Sequence, residues 1–441
     1  MASTYLSRTQ ASSSRQISTL SCWIKKSNVS DSMNIFSAFS DASFRTEVLL
    51  QSAGDFRLLN VSTSVNLQTS ALFRDVSGWY HFVLAIDTTQ ATDTNRVKIY
   101  VNGTQITSFS SATYPAQNSN FMFNNSLPLH IGRTGAYGNE YFDGLMANYY
   151  WIDGQQLTPT SFGETDATTG IWKPKAYTGS YGTNGFFLKF ENSASLGTDS
   201  SGNGNNFTVN GTPTQTVDTP SNVFATLNSL DGLPSGNGGG ATVTYSNGNT
   251  RSNSRYGAGE YPLCRANIQV NKGKWYWEAK VDTTGIGLGV GVMSATANNG
   301  DFRGGEWVYG AGFSGNDSGA SMQKYDNSGT IAIADVSNSG GTIGYALDLD
   351  NGTFKIYLNG TLQATDTTLP SDNSVYFFPV TVGTFSASNG WSPISFNFGN
   401  GYFATTAITS PVSDTAGLGK FQYAVPAGYY SLCTKNINVY G

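Results

Sequence analysis

Short runs of alternating apolar and polar residues recur along the whole chain, and clusters of Gly, Asn, Asp and Ser separate them. Clear examples are Trp79–Ile86, Arg96–Val101, Trp275–Val281, Phe354–Leu358 and Ser395–Phe398. Because side chains on a strand point to opposite faces in turn, this two-residue period predicts half-buried β-strands. Helical periodicity is almost absent, and the best short-helix candidate is Leu157–Glu164, with Thr158 as cap and Pro159 at its first position. The pattern predicts an all-β protein.

One element occurs twice: Val97–Thr104 reads VKIYVNGT and Phe354–Thr361 reads FKIYLNGT. Each ends in Asn-Gly, the pair best suited to type I′ hairpin turns, which need positive φ at both central residues. With 441 residues, the chain is long enough for two such domains. We expect two antiparallel β-sandwich (jelly-roll) domains in tandem, 1–215 and 216–441, joined in a Thr/Pro/Asn-rich stretch near Asn210–Asn222.

Composition excludes several functions. Charged residues make up 12% of the chain and the net charge is −5. No basic stripe or Lys/Arg block appears, which argues against nucleic-acid binding. No apolar run approaches the roughly 20 residues of a membrane span, and the start lacks a signal-peptide core. We expect synthesis and folding in a cytoplasm without membrane insertion. Three distant cysteines, Cys22, Cys264 and Cys433, predict buried or free thiols rather than disulfides.

The first half carries five motifs in order. They are STLSCWIK (Ser18–Lys25), VSGWYHFVLAID (Val76–Asp87), RVKIYVNGTQIT from Arg96, LHIG (Leu129–Gly132) and YFDGLMANYYWIDGQQL (Tyr141–Leu157). Their order and spacing resemble laminin-G-like domains with a concanavalin-A-like jelly roll. Gly185–Thr208 resembles the strand and loop that usually begin such a domain, so we expect it to return and pair into the first sandwich. The run Tyr149–Trp151 must divide between two strand faces, placing at least one ring in the core.

The second half resembles a SPRY domain over about Ala241–Phe403. The motifs are GKWYWEAKV (Gly273–Val281), IGLGVGVM (Ile286–Met293), GYALDLDNGTFKIYLNGTL (Gly344–Leu362), FPVTV (Phe378–Val382) and SFNFG (Ser395–Gly399). A C-terminal extension follows. The tandem, with the joining phrase Phe162–Phe186 and the ending Tyr423–Asn436, resembles virion proteins of tailed phages, especially marine ones, usually described as tail-fibre or concanavalin-A-like proteins.

The sequence contains few combinations of residues that could catalyse a reaction. Retaining glycosidases need two carboxyl groups about 5 Å apart, and the nearest candidate, Glu164-Thr165-Asp166, has no second Glu at the needed offset and fits a capped turn better. His81 and His130 both lie in strand-like runs, where sheet roles are expected. We therefore predict that the chain is not an enzyme.

A calcium site is one interpretation of the loop that begins at Asp199. Asp199, Ser201 and Asn203 offer oxygen ligands at alternating positions before Gly204, like the first half of a calcium loop. The acidic ligand that would complete an EF-hand is replaced by Asn210. A Gly/Asn turn that needs no ion is the alternative.

Two loops are candidates for ligand binding, because recognition usually sits on loops held by a rigid scaffold. The first carries Arg133, Tyr137, Asn139 and Tyr141. The second lies where SPRY domains place a binding loop, and its candidates are Asp301, Arg303 and Trp307. The alternative for each is that its aromatic rings pack at the sandwich edge or in the core.

The resemblance to phage proteins implies a non-catalytic virion protein, a tail fibre or similar appendage, that binds host-surface glycan or other virion proteins. The alternative is a capsid-decorating or connector protein without sugar binding; a polysaccharide-degrading enzyme is disfavoured. Phage fibres are often homotrimers, yet no heptad repeat or β-helix stem is present here, so attachment to a trimeric partner stays open.

Overall fold

The computed structural model describes residues 4–27, 29, 31–134, 140–230, 242–255, 262–282, 288–295, 302–303, 306–307, 310–316, 319–325, 328–334, 340–383 and 391–441. The chain separates into two compact units, Met1–Gln215 and Thr216–Gly441. Both are built almost wholly from antiparallel strands, which confirms the predicted all-β fold class of two tandem sandwiches.

The strands of the first unit are β1 (Tyr5–Thr9), β2 (Ile17–Lys26), β3 (Met33–Phe39), β4 (Arg45–Leu50), β5 (Asp55–Asn60), β6 (Val65–Leu72), β7 (Tyr80–Asp87), β8 (Val97–Val101), β9 (Thr104–Ile106), β10 (Phe109–Thr113), β11 (Pro128–Ile131), β12 (Gly144–Asp153), β13 (Gly163–Thr165), β14 (Trp172–Pro174), β15 (Phe186–Leu188) and β16 (Thr208–Asn210). One sheet has the order β10-β6-β5-β4-β3-β11-β1-β16 and the facing sheet has the order β15-β12-β2-β7-β8-β9. Between them lies one apolar core.

The return of Gly185–Thr208 into the first sandwich is confirmed. Strand β15 pairs with β12 at the edge of one sheet, and β16 pairs with β1 at the edge of the other. The run Tyr149–Trp151 divides as expected. Tyr149 and Trp151 enter the core between the sheets, whereas Tyr150 packs on the outer face.

The strands of the second unit are β17 (Thr242–Ser246), β18 (Arg251–Arg255), β19 (Leu263–Arg265), β20 (Lys274–Val281), β21 (Leu288–Ser294), β22 (Phe302–Arg303), β23 (Glu306–Trp307), β24 (Gly310–Asn316), β25 (Gly319–Gln323), β26 (Thr330–Ile333), β27 (Thr342–Asp348), β28 (Thr353–Leu358), β29 (Thr361–Asp366), β30 (Phe377–Gly383), β31 (Trp391–Asn397), β32 (Tyr402–Phe403), β33 (Thr406–Ala407), β34 (Val412–Ser413), β35 (Lys420–Phe421) and β36 (Tyr430–Ser431). The main sheets run β17-β18-β31-β20-β27-β28-β29, with β36 parallel to β20, and β19-β30-β21-β24-β25-β26. Large aromatic side chains, among them Trp275, Trp277 and Tyr345, fill the core between them.

Both Asn-Gly pairs form the predicted hairpin tips. Asn102 and Gly103 have φ of 48° and 83°, and Asn359 and Gly360 have φ of 47° and 81°. Each pair joins two antiparallel neighbours, β8 to β9 and β28 to β29. The positive φ at both positions is the geometry of a type I′ turn, which explains why Asn and Gly stand there.

Within the described ranges, helix is confined to short pieces, α1 (Asp93–Arg96), α2 (Thr434–Tyr440) and the 3-10 turns Val61–Thr63 and Pro159–Ser161. The helix predicted over Leu157–Glu164 is therefore wrong in extent. Pro159 does begin the turn after Thr158, but the Thr158 side chain makes no capping bond and the chain enters β13 within one turn. Among the described residues no helix has the length and apolar character needed to cross a membrane.

The three cysteines are free and buried, as predicted. Burial raises the pKa of Cys264 to about 12, so its thiol stays protonated and unreactive near neutral pH. These residues act as small core side chains.

Candidate functional site

The loop that starts at Arg133 connects β11 with β12, and therefore crosses from one sheet to the other at the edge of the first sandwich. Its two ends are held together by a hydrogen bond from Phe142 N to Gly132 O, 2.9 Å long. Gly132 permits the sharp exit from β11 because its φ is 82°. The two ends of the loop are thus fixed next to each other.

Arg133 lies between two tyrosine rings. Its guanidinium carbon is 4.6 Å from the ring centre of Tyr5 and 6.0 Å from that of Tyr141, and the two tyrosine rings are 6.2 Å apart. All three side chains are half-buried. The structure therefore brings together Arg133 and Tyr141, two of the predicted binding residues, and adds Tyr5, which sequence reasoning missed.

The base of this cluster is buried and electrically balanced. Ser37 donates its hydroxyl to Arg133 O at 2.8 Å, and Thr134 donates its hydroxyl to Glu47. Glu47 also forms an ion pair with Arg45 at 3.0 Å. Burial, aided by Arg133, lowers the pKa of His130 to about 4, so this imidazole is neutral at pH 7. A guanidinium with aromatic walls can bind a carboxylate or sulfate in two-pronged fashion while apolar ligand faces contact the rings.

The other predicted binding residues stay untested. Tyr137, Asn139 and Asp301 lie outside the described residues. For Arg303 and Trp307 only the backbone is described, in the short antiparallel pair β22–β23.

Asp199 is the centre of a hydrogen-bonded loop. Its carboxylate accepts bonds from Phe187 N at 2.9 Å and from Ser201 N, Ser201 Oγ and Asn205 N at 2.8 Å each. Asn203 donates its amide to the carbonyl oxygens of Gly182 and Gly185. A cation bound by Asp199, Ser201 and Asn203 would have to replace several of these bonds. Calcium binding stays a prediction, while the loop already holds β15 in place without an ion.

We expect Asp199→Ala to lower the free energy of unfolding of the first unit by about 2 kcal/mol, since hydrogen bonds to a charged group contribute about 1.5–3 kcal/mol each but water replaces part of them in a half-buried loop. Chemical denaturation measures the loss. Asp41→Ala, which removes a similar but exposed turn, should cost less. Repeating the melt of the unmodified chain in calcium and in EDTA tests the ion: a higher midpoint only in calcium would support the calcium prediction.

The residues weighed for catalysis make structural contacts. Glu164 and Asp166 both lie within ion-pair distance of Lys173, at 3.5 and 2.9 Å, and Asp166 also caps its turn through Thr169 N. His81 is fully buried in β7. Burial lowers its pKa to about 3.

The neutral His81 ring forms a fixed chain of bonds across the outer face of its sheet. Trp172 Nε1 donates to His81 Nδ1 at 2.9 Å, which places the proton of the imidazole on Nε2, 2.8 Å from Ser21 Oγ. The ring also stacks on Trp23 with centres 4.7 Å apart. His81 is thus a sheet residue, as predicted.

Comparison with known protein families finds a matching family for each of the two units. Residues 2–161 match the sequence model of the laminin G-like family described as the concanavalin A-like lectin/glucanases superfamily, and residues 274–400 match that of the SPRY domain. This chain carries a laminin-G-like domain and a SPRY domain in tandem. Domains of both kinds often act as binding modules.

Similar solved structures include the SPRY domain of human HERC1 (19% identity, 35% of this chain and 92% of that chain, TM-score 0.28) and the TRIM65 PSpry domain (15%, 39% and 91%, 0.29). Another is the heptameric SAP-like pentraxin from Limulus polyphemus (19%, 35% and 71%, 0.26). The assignment of both domains rests on the family models. No curated protein matches the chain.

Each domain continues beyond its family range into a segment that covers the outer face of a sheet. In the laminin-G-like domain, the first cover segment (residues 162–181) places Phe162, Tyr177 and Tyr181 over Tyr150 and its neighbours. In the SPRY domain, the second cover segment (residues 414–436) places Phe421 and Tyr429 over the outer face of β20 and β27. The two cover segments thereby bury aromatic rings that would otherwise be exposed on the outer faces of these sheets.

Both cover segments dock on an Asn-Gly hairpin tip. A Cβ on Gly103 would lie 3.0 Å from the Trp172 ring, and a Cβ on Gly360 would lie 2.7 Å from the Tyr423 ring. Glycine is required at both tips for two reasons: φ is positive there, and a Cβ atom would collide with the aromatic ring that packs on the tip. This shared docking was not visible in the sequence repeat.

A buried carboxylate fastens the second cover segment. Glu278, fully buried in β20, accepts bonds from Gln422 N at 2.9 Å, Tyr423 N at 2.8 Å and Asn397 Nδ2 at 3.1 Å. Inside the segment, Asp414 accepts bonds from backbone N–H groups of residues 418, 419 and 431. One sequence feature could have indicated the first cover: Phe82–Ile86 in β7 is apolar at every position, a local departure from the two-residue period that fits a strand buried on both faces.

Proposed function

We propose that this chain is a non-catalytic component of a bacteriophage particle, a tail fibre or similar appendage, that binds glycan on the host surface or docks to other virion proteins. Two binding-type domains in tandem support a binding role. The motif order of the whole chain supports the phage setting. A surface whose polarity comes from hydroxyls and amides, with 12% charged residues, suits a particle exposed outside the cell. The virion would be its location, after synthesis in the host cytoplasm.

The observation that carries the proposal is the cluster formed by Tyr5, Arg133 and Tyr141. A guanidinium held 4.6 Å from one tyrosine ring, on a loop anchored at both ends, offers charge-assisted hydrogen bonds and apolar ring faces at the same place. Sugars combine hydroxyl or carboxylate groups with apolar C–H faces, so they match this combination. Because the cluster is already assembled without a ligand, little ordering cost is expected on binding.

Two observations favour binding over hydrolysis. Glu164 and Asp166, the nearest carboxylate pair in the sequence, are engaged with Lys173. His81 is neutral and sealed under Trp172. Shortened polysaccharide chains after incubation with the purified protein would contradict the non-catalytic assignment.

We expect the purified chain to bind members of an array of bacterial surface polysaccharides, and Arg133→Gln to weaken that binding at least tenfold, since a charge-assisted hydrogen bond contributes about 1.5–3 kcal/mol. Arg74→Gln is the matched control, because Arg74 is an exposed arginine of the same domain that bonds Ala53 O. Binding to purified phage particles but to no polysaccharide would favour the capsid-decorating or connector role instead.

A further inference from the structure

A small cleft opens on the outer face of the laminin-G-like domain, away from the Arg133 loop in sequence. Its volume is about 190 Å³, and it is lined by Asn148, Tyr150, Pro174, Lys175, Ala176, Phe187, Lys189 and Glu191. These residues come from β12, from the first cover segment and from the chain at and after β15. The cleft therefore exists only because the cover segment lies beside the edge strand.

The aromatic wall of the cleft is rigid. The rings of Tyr150 and Phe187 stack with centres 4.0 Å apart and planes 8° from parallel. Phe187 is fixed further by its backbone N–H, which donates to Asp199 Oδ1 at 2.9 Å. The Asp199 loop thus acts on this cleft by holding one of its walls in place.

The polar part of the cleft is placed by irregular backbone. Asn148 lies at the bulge of β12, between the paired residues Ala147 and Tyr150, with φ of 47°. Such a bulge turns a side chain out of the regular strand alternation and is frequent beside functional sites. On the opposite side, Lys175 N bonds Phe162 O at 2.8 Å, which fixes the cover segment where it borders the cleft.

The net charge of the cleft is positive, although the net charge of the whole chain is −5. Two lysines and one glutamate line it. Lys189 Nζ is 5.8 Å from the centre of the Phe187 ring and 3.8 Å from Glu191, and Lys175 Nζ is 3.4 Å from Thr160 O. These weak, exposed interactions leave both ammonium groups able to turn toward an anion.

We propose that this cleft binds a carboxylated sugar residue of an acidic polysaccharide, which deepens the proposed glycan-binding function and rests on it. The carboxylate lies between Lys175 and Lys189, the Asn148 amide bonds a ring hydroxyl, and the apolar face of the sugar contacts Phe187, which the buried Tyr150 ring supports from behind. The volume is below the roughly 300–1,000 Å³ of typical small-molecule sites, so the cleft holds one sugar ring rather than several. The Arg133 cluster would then engage another part of the same polysaccharide.

Calorimetric titration of the full chain with trigalacturonate, sialyllactose and neutral maltotriose tests this inference. At least one of the two acidic sugars should bind ten times more tightly than maltotriose, with an affinity that falls as salt is added. The better of the two identifies the source of the carboxylate, a uronic or a sialic acid. Equal affinity for maltotriose would overturn the proposal.

Variants locate the binding. The double change Lys175→Gln and Lys189→Gln alters exposed side chains only and should weaken binding of the acidic sugar at least fivefold. Phe187→Leu, checked by thermal unfolding, should weaken it at least twofold. Lys435→Gln changes an exposed lysine of the SPRY domain. It removes one positive charge, as each of the two cleft substitutions does, and should leave the affinity for the acidic sugar unchanged.

The two proposals fail in different ways. If Arg133→Gln weakens binding of the acidic sugar but the double lysine variant does not, glycan binding stands and the cleft proposal is wrong. If no acidic sugar binds, the cleft proposal is wrong, while polysaccharides bound on the array would still support the proposed function.

Discussion

Replacing Trp172 by alanine should lower the free energy of unfolding of the laminin-G-like domain by about 3 kcal/mol. Truncating a buried aromatic residue costs about 3–5 kcal/mol, and Trp172 is half-buried, which places it at the low end. The change removes the ring that rests on Gly103 and the donor that satisfies His81 Nδ1. Chemical denaturation followed by circular dichroism measures the loss.

A second measurement distinguishes exposure of His81 to water from a general loss of stability of the domain. Burial holds the pKa of His81 at about 3, so its NMR signals should not shift between pH 5 and 8 in the unmodified chain. In Trp172→Ala water reaches the ring, and the pKa should rise toward the ordinary value of about 6.5.

Two further variants serve as controls. Trp172→Phe keeps a ring on Gly103 but loses the N–H donor, and should cost about 1 kcal/mol. Ile171→Ala, at a neighbouring side chain that is 61% exposed, should be nearly neutral. An unchanged His81 titration in Trp172→Ala would contradict the sealing role.

Local chemistry accounts for what the sequence predicted well. Asn-Gly at 102–103 and 359–360 determines a hairpin whatever surrounds it, because few other residues adopt positive φ at both positions. Likewise the two-residue period of a strand places Tyr149 and Trp151 on one face and Tyr150 on the other. These properties depend on neighbours in the chain.

The cover segments could not be predicted in the same way. Irregular chain that packs on a sheet has no period, so nothing near Trp172 or Tyr423 shows that each ring rests on a glycine about 60–70 residues earlier. The predicted helix at Leu157–Glu164 failed for this reason: after Pro159 the chain turns to follow the sheet instead of continuing a helix. Tyr5, at the opposite end of the domain sequence from Tyr141, was missed because only folding brings it to Arg133.

The same limit applies to the candidate sites. The Arg133 loop was visible as a glycine-spaced polar segment, and two of its residues do meet. The cleft beside Phe187 joins three segments of the chain, and Asn148 turns outward only because β12 has a bulge there. The part of a site that lies on one loop is therefore readable from sequence, whereas contacts between separate segments need the fold.

The SPRY domain should be more stable at pH 5 than at pH 8 by up to about 3 kcal/mol because of Glu278. Burial raises the pKa of Glu278 from its ordinary value of 4.5 to about 7, although hydrogen bonds from Gln422 and Tyr423 partly oppose the rise. A folded-state pKa above the unfolded one means that the folded domain binds the proton more tightly. This contribution is fully present below about 4.5 and is lost as pH rises through 7.

Comparison with Glu278→Gln isolates this effect, because glutamine does not titrate. The stability of the unmodified chain minus that of the variant, from chemical denaturation, should be greater at pH 5 than at pH 8 by up to about 3 kcal/mol, at 1.36 kcal/mol per pKa unit. Asp348→Asn is the matched control. Burial raises the pKa of Asp348, but bonds from Asn351 and Lys274 outweigh it and lower the pKa below 3.8. Its contribution is therefore lost only in stronger acid.

Glu278 also fastens the second cover segment, so Glu278→Ala should cost about 3–5 kcal/mol. The change leaves two backbone N–H groups and the Asn397 amide without their buried acceptor, and each such group costs about 1–3 kcal/mol. Limited proteolysis should then cut within residues 414–436 before the rest of the domain is attacked, because the segment opens while the core between the sheets persists. A variant that resists proteolysis there as well as the unmodified chain does would show that the aromatic contacts of Phe421 and Tyr429 alone hold the cover in place.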